Sequence, residues 1–398
     1  MTRSPIALTA LGMVNALGHE SRTIWKRLLA GDQSKLTLQR NYLKDRTVRV
    51  GKVAGKWPEF PHSLRRYKCR NNSLALIAFE EIEAEVRLAI KKYGRQRIGI
   101  VMGSSTSGMA ATESAFAHWH SSGKLPRAFD YVQHEMGGLS QFLSALAGVN
   151  GPAYTLSTAC SSSAKVLASA RALIYQGWCD AVLVGGTDSL CRLTLQGFAS
   201  LEALSNEPCN SMSRNRTGFN IGEGAAMFLM ERSETGVRLL GVGESSDAYH
   251  ISAPDPDGKG AYTAMKEALS DASLKAEDIS YIHLHGTGTA LNDHMESRAV
   301  ARLFTNVPAS SSKGMLGHTL GASGAMGVGI CWLALTHSCQ NTIALPPHLW
   351  DGQRDRNLPR LALVNIGQTI KAKSQAALMS NSFGFGGSNC SIIVQRHF

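Results

Sequence analysis

The chain reads as an α/β protein built in layers, and three features predict it. Short runs of apolar residues with β-forming character alternate with longer runs of helical period from end to end. The apolar fraction, 43% of 398 residues, is enough for a large core, and the length suggests two or three domains. No low-complexity tract or flexible linker interrupts the alternation.

Taken in order, strands are predicted at 6–11, 98–103, 154–157, 181–185, 225–231, 237–246, 279–284, 361–366, 376–381 and 390–395. Helices are predicted at 74–93, 139–146, 161–175, 262–271, 295–303 and 322–336, where apolar residues recur at helical spacing. The helix from 161 is expected to stop at Gly177. A weak divide near 233–237 separates 1–235 from 236–398, two halves of similar plan. Each contributes a strand–loop–helix, carrying Cys160 in the first half and Lys313 to His318 in the second. Residue identities show no repeat.

Lys and Arg number 41 against 30 Asp and Glu, a formal charge of +11. Such a balance suits an acidic partner: nucleic acid, an anionic membrane or an acidic protein. The densest basic cluster is Arg65, Arg66, Lys68 and Arg70; Lys91, Lys92, Arg95 and Arg97 form another. A charge run is usually a solvated face. Nucleic acid is disfavoured, because no zinc spacing, RNP-like segment or heptad run accompanies the clusters. Membrane insertion is not expected, since the longest apolar runs, such as 326–335, are too short to span. The N-terminus lacks the long apolar core of a signal peptide. Eight scattered cysteines, none in C-x-x-C, argue against a disulfide scaffold or structural zinc and for a reducing, cytoplasmic setting.

Cys160 is the residue most suggestive of chemistry. It follows a β-rich run, Ala153 to Ser157, and precedes Ala164, Leu167, Ala168, Ala170, Leu173 and Ile174 at helical spacing. That puts a thiol at a strand-to-helix turn, where unpaired N–H groups and the helix dipole favour a thiolate. The small flanking Ser, Thr and Ala residues leave room for a substrate. The plainer alternative is a buried structural cysteine.

Two histidine segments strengthen the catalytic reading. In the first, an apolar strand alternates into His285, followed by a Gly/Thr loop with Thr287, Thr289 and Asp293. In the second, Lys313 and His318 lie on a Gly-rich stretch that leads into an apolar helix. A lone histidine is more often a satisfied core residue, but Cys with His is a recurring covalent-catalysis pair. The run from Gly321 to Gly327 is not a dinucleotide loop, because no convincing strand precedes it and no acidic residue follows at the needed distance.

Together these segments resemble the β-ketoacyl-acyl-carrier-protein synthases, the condensing enzymes of fatty acid and polyketide synthesis. The resemblance runs nearly end to end. Thr158 to Ser162 resembles the family's cysteine elbow, and His285 to Thr289 with Asp293 and Glu296 its first histidine motif. Lys313 to Gly324 resembles the lysine–histidine motif, Asn381 to Asn389 the terminal Gly/Phe gating loop, and Gly218 to Ala225 a further family segment. The elongating, synthase II-like branch fits best, and ketosynthases of aryl polyene and related polyene pathways look similar. There are departures. The family usually carries Glu, in a supporting role, where this chain has Gly327, and the 204–211 loop, which in the family often helps dock the carrier, is shorter than usual.

The resemblance implies a duplicated thiolase-like fold of five αβαβα layers, with a dimer formed from identical chains or with a ketosynthase-like paralogue. It implies a decarboxylative Claisen condensation: an acyl group moves onto Cys160, then a malonyl carrier loses carbon dioxide and its carbanion attacks. The backbone N–H groups of Cys160 and Phe385 would form the oxyanion hole. His285 and His318 would hold the enolate, and Lys313 would orient the His318 loop. Thr287 and Thr289 would bond the pantetheine arm or cap their own loop. Thr106 would lie near the acyl pocket, Phe385 would gate access, and Asp293 and Glu296 would support the motif. No cofactor is expected, the substrates being carried on phosphopantetheine. An acidic acyl carrier protein would dock on Arg65, Arg66, Lys68 and Arg70. Two histidine motifs argue against the priming branch, which usually has His and Asn. A non-catalytic, chain-length-factor-like partner subunit usually lacks the nucleophile, and a cysteine hydrolase has no obvious use for two histidine loops and Lys313.

Overall fold

The computed structural model describes residues 5–338, 342–371 and 375–397. Cys339 lies outside these residues; the other seven cysteines are free and buried.

The first half forms β1 (Ile6–Asn15), β2 (Ile98–Gly103), β3 (Ala153–Leu156), β4 (Ala181–Asp188) and β5 (Gly224–Arg232). Their spatial order is β3-β2-β4-β5-β1. β2 runs parallel to β3 and β4, and β5 is antiparallel to β4 and β1. The second half forms β6 (Val237–Ser246), β7 (Ile279–His283), β8 (Pro308–Ser310), β9 (Ala362–Leu363), β10 (Gln375–Phe383) and β11 (Ser388–His397). Here the order is β8-β7-β10-β11-β6, with β9 added outside β8. β7 runs parallel to β8 and β10, and β11 is antiparallel to β10 and β6. Taken by rank, order and strand sense are the same in both halves. The repeat that residue identities conceal is written in the hydrogen-bond ladders. The halves join along a short antiparallel seam, Ala7 with Arg238 and Leu8 with Val237.

Helices complete five layers. α1 (Arg70–Tyr93) and α2 (Gly138–Ala147) cover the outer face of the first sheet, sharing a core with β2, β4 and β5. α4 (Lys259–Ala272) and α5 (Ala290–Leu303) cover the outer face of the second. Between the sheets lie α3 (Ser162–Tyr175) and α6 (Ser323–Thr336), packed on each other and on strands of both halves. A helix that touches apolar neighbours all round must be apolar all round. α6 meets that demand: every residue from Gly324 to Leu335 except Trp332 is buried. Phe79, Phe142 and Phe228 are fully buried in these layers, each contributing about 1.5–3 kcal/mol. This is the αβαβα layering expected from the sequence.

Some elements differ from expectation. α5 begins at Ala290, five residues before the predicted 295, because Thr289 accepts a hydrogen bond from Asn292 N and caps it. The run 361–366 contributes only the two-residue β9. The helix Met109–Ser122 was not expected: it buries only Thr112 and Ala115, so its sequence carries no apolar stripe. No helix among the described residues is long and apolar enough to cross a membrane.

Candidate active site

β3 delivers Cys160 to the start of α3 through a strained elbow. Ala159 adopts φ +52°, a conformation uncommon outside glycine and frequent at functional turns. Short hydrogen bonds hold it there. Ser162 Oγ accepts from Thr158 N at 2.9 Å and donates to Ala159 O at 2.6 Å, and Ser161 Oγ donates to Thr158 O at 2.8 Å. The thiol itself is buried, 3% exposed. Burial pushes its pKa up to about 11, against the lowering influence of Lys313 and of the backbone N–H groups of Phe385 and Cys160, which face the sulfur. The expected thiolate is therefore not the resting form. Desolvation outweighs the helix terminus, and the proton must leave during reaction.

His318 meets that sulfur: its Nε2 lies 3.0 Å from Cys160 Sγ. The His285 ring stands edge-on to His318, centroids 5.2 Å apart. Burial, then the charge of Lys313, holds both imidazoles well below the usual histidine range, so both are neutral. Neither Nδ1 has a partner among the described residues. A proton on Nε2 avoids burying an unpaired N–H at Nδ1 and leaves each ring a donor. The ligating atoms of Cys160, His285 and His318 lie within 4.8 Å of one another, a set that could hold a soft cation. The Lys313 ammonium beside them opposes a cation and suits an anion.

Backbone clamps fix both histidines. The Glu296 carboxylate accepts from His285 N and Gly286 N, each at 2.7 Å. Burial raises Glu296 to about 7, countered by those two N–H groups. Lys313 Nζ donates to the His285 carbonyl, tying the two motifs together. Its pKa is lowered by burial and supported by the Glu296 charge. Asp293 accepts from Met212 N at 2.7 Å and Gly288 N at 3.1 Å. The His318 turn is pinned by the segment 218–225: His318 N donates to Asn220 O at 2.7 Å, and Gly222 N to His318 O at 2.9 Å. Gly317 has φ +81° and packs so closely on Gly222 that a Cβ would lie 2.9 Å from its backbone. The 204–211 loop joins this framework through Cys209 N, which donates to Asn220 Oδ1.

A cavity of about 460 Å³ reaches Cys160, His285 and His318 from the surface. Thr287, Thr289 and Phe385 line it. The two threonine hydroxyls are 2.9 Å apart, and Thr289 also caps α5. The Phe385 ring stands edge-on to Phe198. Thr106 does not line this cavity. It is buried, and its N–H and hydroxyl both donate to Asp188, at 2.9 Å each. The basic cluster divides. Arg65, Arg66 and Lys68 are exposed on and just after a short turn of helix, His62–Tyr67, that packs on α2, away from the cavity lining. Arg70 instead turns inward, donating through Nε and Nη2 to the fully buried Glu223, and is not a free docking residue. Sequence reasoning missed Phe383 and Phe219, which lie edge-on to His285 and His318. Both lie in segments that the resemblance singled out, 381–389 and 218–225, but neither ring was given a role; Phe383 ends β10.

The chain also matches known families and structures over its length. The family model for the β-ketoacyl synthase N-terminal domain matches residues 3–236, and that for the C-terminal domain residues 237–345. A 3-oxoacyl-[acyl-carrier-protein] synthase 2 of Coxiella burnetii is 30% identical over the full length of both chains. Nodulation protein E of Rhizobium meliloti is 30% identical, covering 98% of this chain and 99% of its own. Among solved structures, a chain of the ketosynthase–chain length factor complex from Xenorhabdus doucetiae superposes with a TM-score of 0.93 at 40% identity, covering 99% of this chain and 98% of its own. A β-ketoacyl synthase from Burkholderia phymatum gives 0.88 at 28%, covering both chains in full. With its thiol and two imidazoles converging in a duplicated thiolase-like fold, the chain belongs to the β-ketoacyl synthase family.

Proposed function

We propose that this protein is an elongating β-ketoacyl-acyl-carrier-protein synthase. One observation carries the reading: a buried thiol 3.0 Å from one neutral imidazole, with a second imidazole against the first. In the first half-reaction Cys160 Sγ attacks the thioester carbonyl of an acyl carrier. A new carbon–sulfur bond forms as the carrier's carbon–sulfur bond breaks, and the thiol proton ends on the departing carrier sulfur. The oxyanion faces the N–H groups of Cys160 and Phe385. In the second, the bond to the malonyl carboxylate breaks and carbon dioxide leaves. Its electrons form an enolate held by His285 and His318, whose carbon attacks the Cys160 thioester and expels the thiolate. These residues can do this without a cofactor, since each charge that develops has a protein donor.

The finer assignments belong to the same proposal. The partner is an acidic carrier protein attracted by the net positive charge, with Arg65, Arg66 and Lys68 as the first docking candidates. Relatives named 3-oxoacyl-[acyl-carrier-protein] synthase 2, 27–30% identical over nearly the whole chain, support that class of partner. We take the working unit to be a dimer with an identical chain or a ketosynthase-like paralogue. The open edge of β3 and the exposed Phe116, Trp119 and Tyr131 offer a surface for it. Elongation in a polyene pathway, aryl polyenes included, is the finer part of the proposal and rests on the resemblance of the motifs. A reduced thiol nucleophile suits the cytoplasm. The test supplies acyl carrier and malonyl carrier together. A β-ketoacyl carrier product supports the reading; thioester hydrolysis, or no reaction, overturns it.

A further inference from the structure

Gly327 lies in the second turn of α6, facing the end of β7. A Cβ there would come 2.5 Å from Ser380 Oγ and 2.9 Å from His283 Nδ1. The hydroxyl can rotate away, but the imidazole cannot yield as easily. His283 is buried, and its Nε2 is 3.0 Å from Ser312 Oγ. Ser312 directly precedes Lys313, and its carbonyl accepts from Met315 N at 2.9 Å and Leu316 N at 3.2 Å, so it starts the turn that carries Lys313. Lys313 in turn donates to the His285 carbonyl. A continuous path thus runs from His283 through Ser312 and Lys313 to His285. His283 does not line the cavity, so it acts on the chemistry only through these neighbours.

We propose that His283 is a positioning residue for Lys313, and that Gly327 leaves the space its ring requires. The inference rests on the reading of the site as a condensing centre. It gives the absence of a side chain at 327 a physical reason: the ring beside that position already fills the room a longer residue would take. Packed rings and short hydrogen bonds hold a group within fractions of an ångström, and misplacement by about 1 Å can cost about 10²-fold.

The test compares H283A, H283Q, G327A and H283A/G327A in the full-length protein. Three readouts are taken: carbon dioxide release from malonyl carrier, Cys160 acylation and thermal melting. H283A is expected to slow carbon dioxide release about tenfold while acylation stays within about twofold. H283Q, whose amide can reach Ser312, should recover most of that loss. G327A should slow release in the wild-type background and add little in the H283A background, because the ring it displaces is gone. Unchanged release in H283A overturns the proposal. So does an equal fall in both half-reactions with a lowered melting point and no recovery in H283Q, or full additivity of the two substitutions. A crystal structure of H283A decides the matter even if the wild-type protein proves not to condense. Lys313 Nζ displaced from the His285 carbonyl supports the inference; Lys313 unmoved overturns it.

Discussion

The loops that follow β2 and β7, equivalent strands of the two halves, are built alike and used differently. After β2, Ser105 N and Thr106 N and the hydroxyls of Ser104, Ser105 and Thr106 converge on the buried Asp188 carboxylate. After β7, His285 N and Gly286 N converge on the buried Glu296 carboxylate. At the head of each loop one carboxylate accepts several donors, the arrangement that lets a charged group stay buried. In the second half the clamp takes only backbone N–H groups from the loop, with Asn292 Nδ2 donating from α5, and leaves the His285 ring facing Cys160. In the first half it takes up the side chains as well, so none remains for the cavity. The connections after β3 and β8 part in the same way. One ends in a nucleophile at the head of α3, the other in the donors Lys313 and His318. A repeated framework has been divided into a half that bonds the acyl group and a half that holds negative charge.

The largest effect should come from cutting the first half alone. C160A is expected to lower condensation on the order of 10⁴-fold or more, while carbon dioxide release from malonyl carrier stays within about tenfold of wild type. Parallel product and carbon dioxide assays check this; loss of both would mean that the halves do not work separately. Cutting the second half should do the reverse. H285A or H318A should slow carbon dioxide release about 10²–10³-fold and acylation of Cys160 much less.

Breaking the clamps tests the likeness itself. D188A and E296A should each destabilise the fold by about 2–5 kcal/mol in chemical denaturation, because each leaves several buried donors unpaired. In the folded fraction, E296A should slow carbon dioxide release more than D188A does. The burial of Cys160 predicts a pH profile. With a pKa near 11, the thiolate fraction, and with it the iodoacetamide rate at Cys160, should rise about tenfold per pH unit between about 7 and 9. A plateau below about pH 8 would show the helix terminus winning over burial. The smallest effect concerns the surface. R65E/R66E should raise the apparent KM for carrier about tenfold at low salt, less at high salt, and leave a small pantetheine thioester unaffected. R70A, by contrast, strands Glu223 and should cost about 3 kcal/mol of stability.

What the sequence discloses follows the range of the interaction. β2 and β6 were legible residue for residue, β2 as a continuous apolar run buried on both faces and β6 by the alternation of buried Val237 and Leu239 with less buried Arg238 and Leu240. Cys160, His285, Lys313 and His318 were legible as motifs, because each sits in a short segment whose glycines and small residues mark a tight turn. The duplication was not, since the halves share hydrogen-bond order and not side chains. Arg70 was grouped with its basic neighbours because its partner Glu223 lies 153 residues away. Thr106 was expected near the acyl pocket from the resemblance, and only Asp188, on the neighbouring strand β4, shows where its hydroxyl points. Asn220 holds His318 through its backbone carbonyl, a contact that no side chain announces.

The division of labour is tested most directly by single-turnover mass spectrometry. The protein is first given acyl carrier alone, then malonyl carrier. The account predicts one acyl adduct, located on Cys160, that persists until malonyl carrier is added and then disappears as carbon dioxide and β-ketoacyl carrier form in equal amounts. An adduct on another residue, discharge to free acid, or carbon dioxide released without loss of the adduct would contradict it.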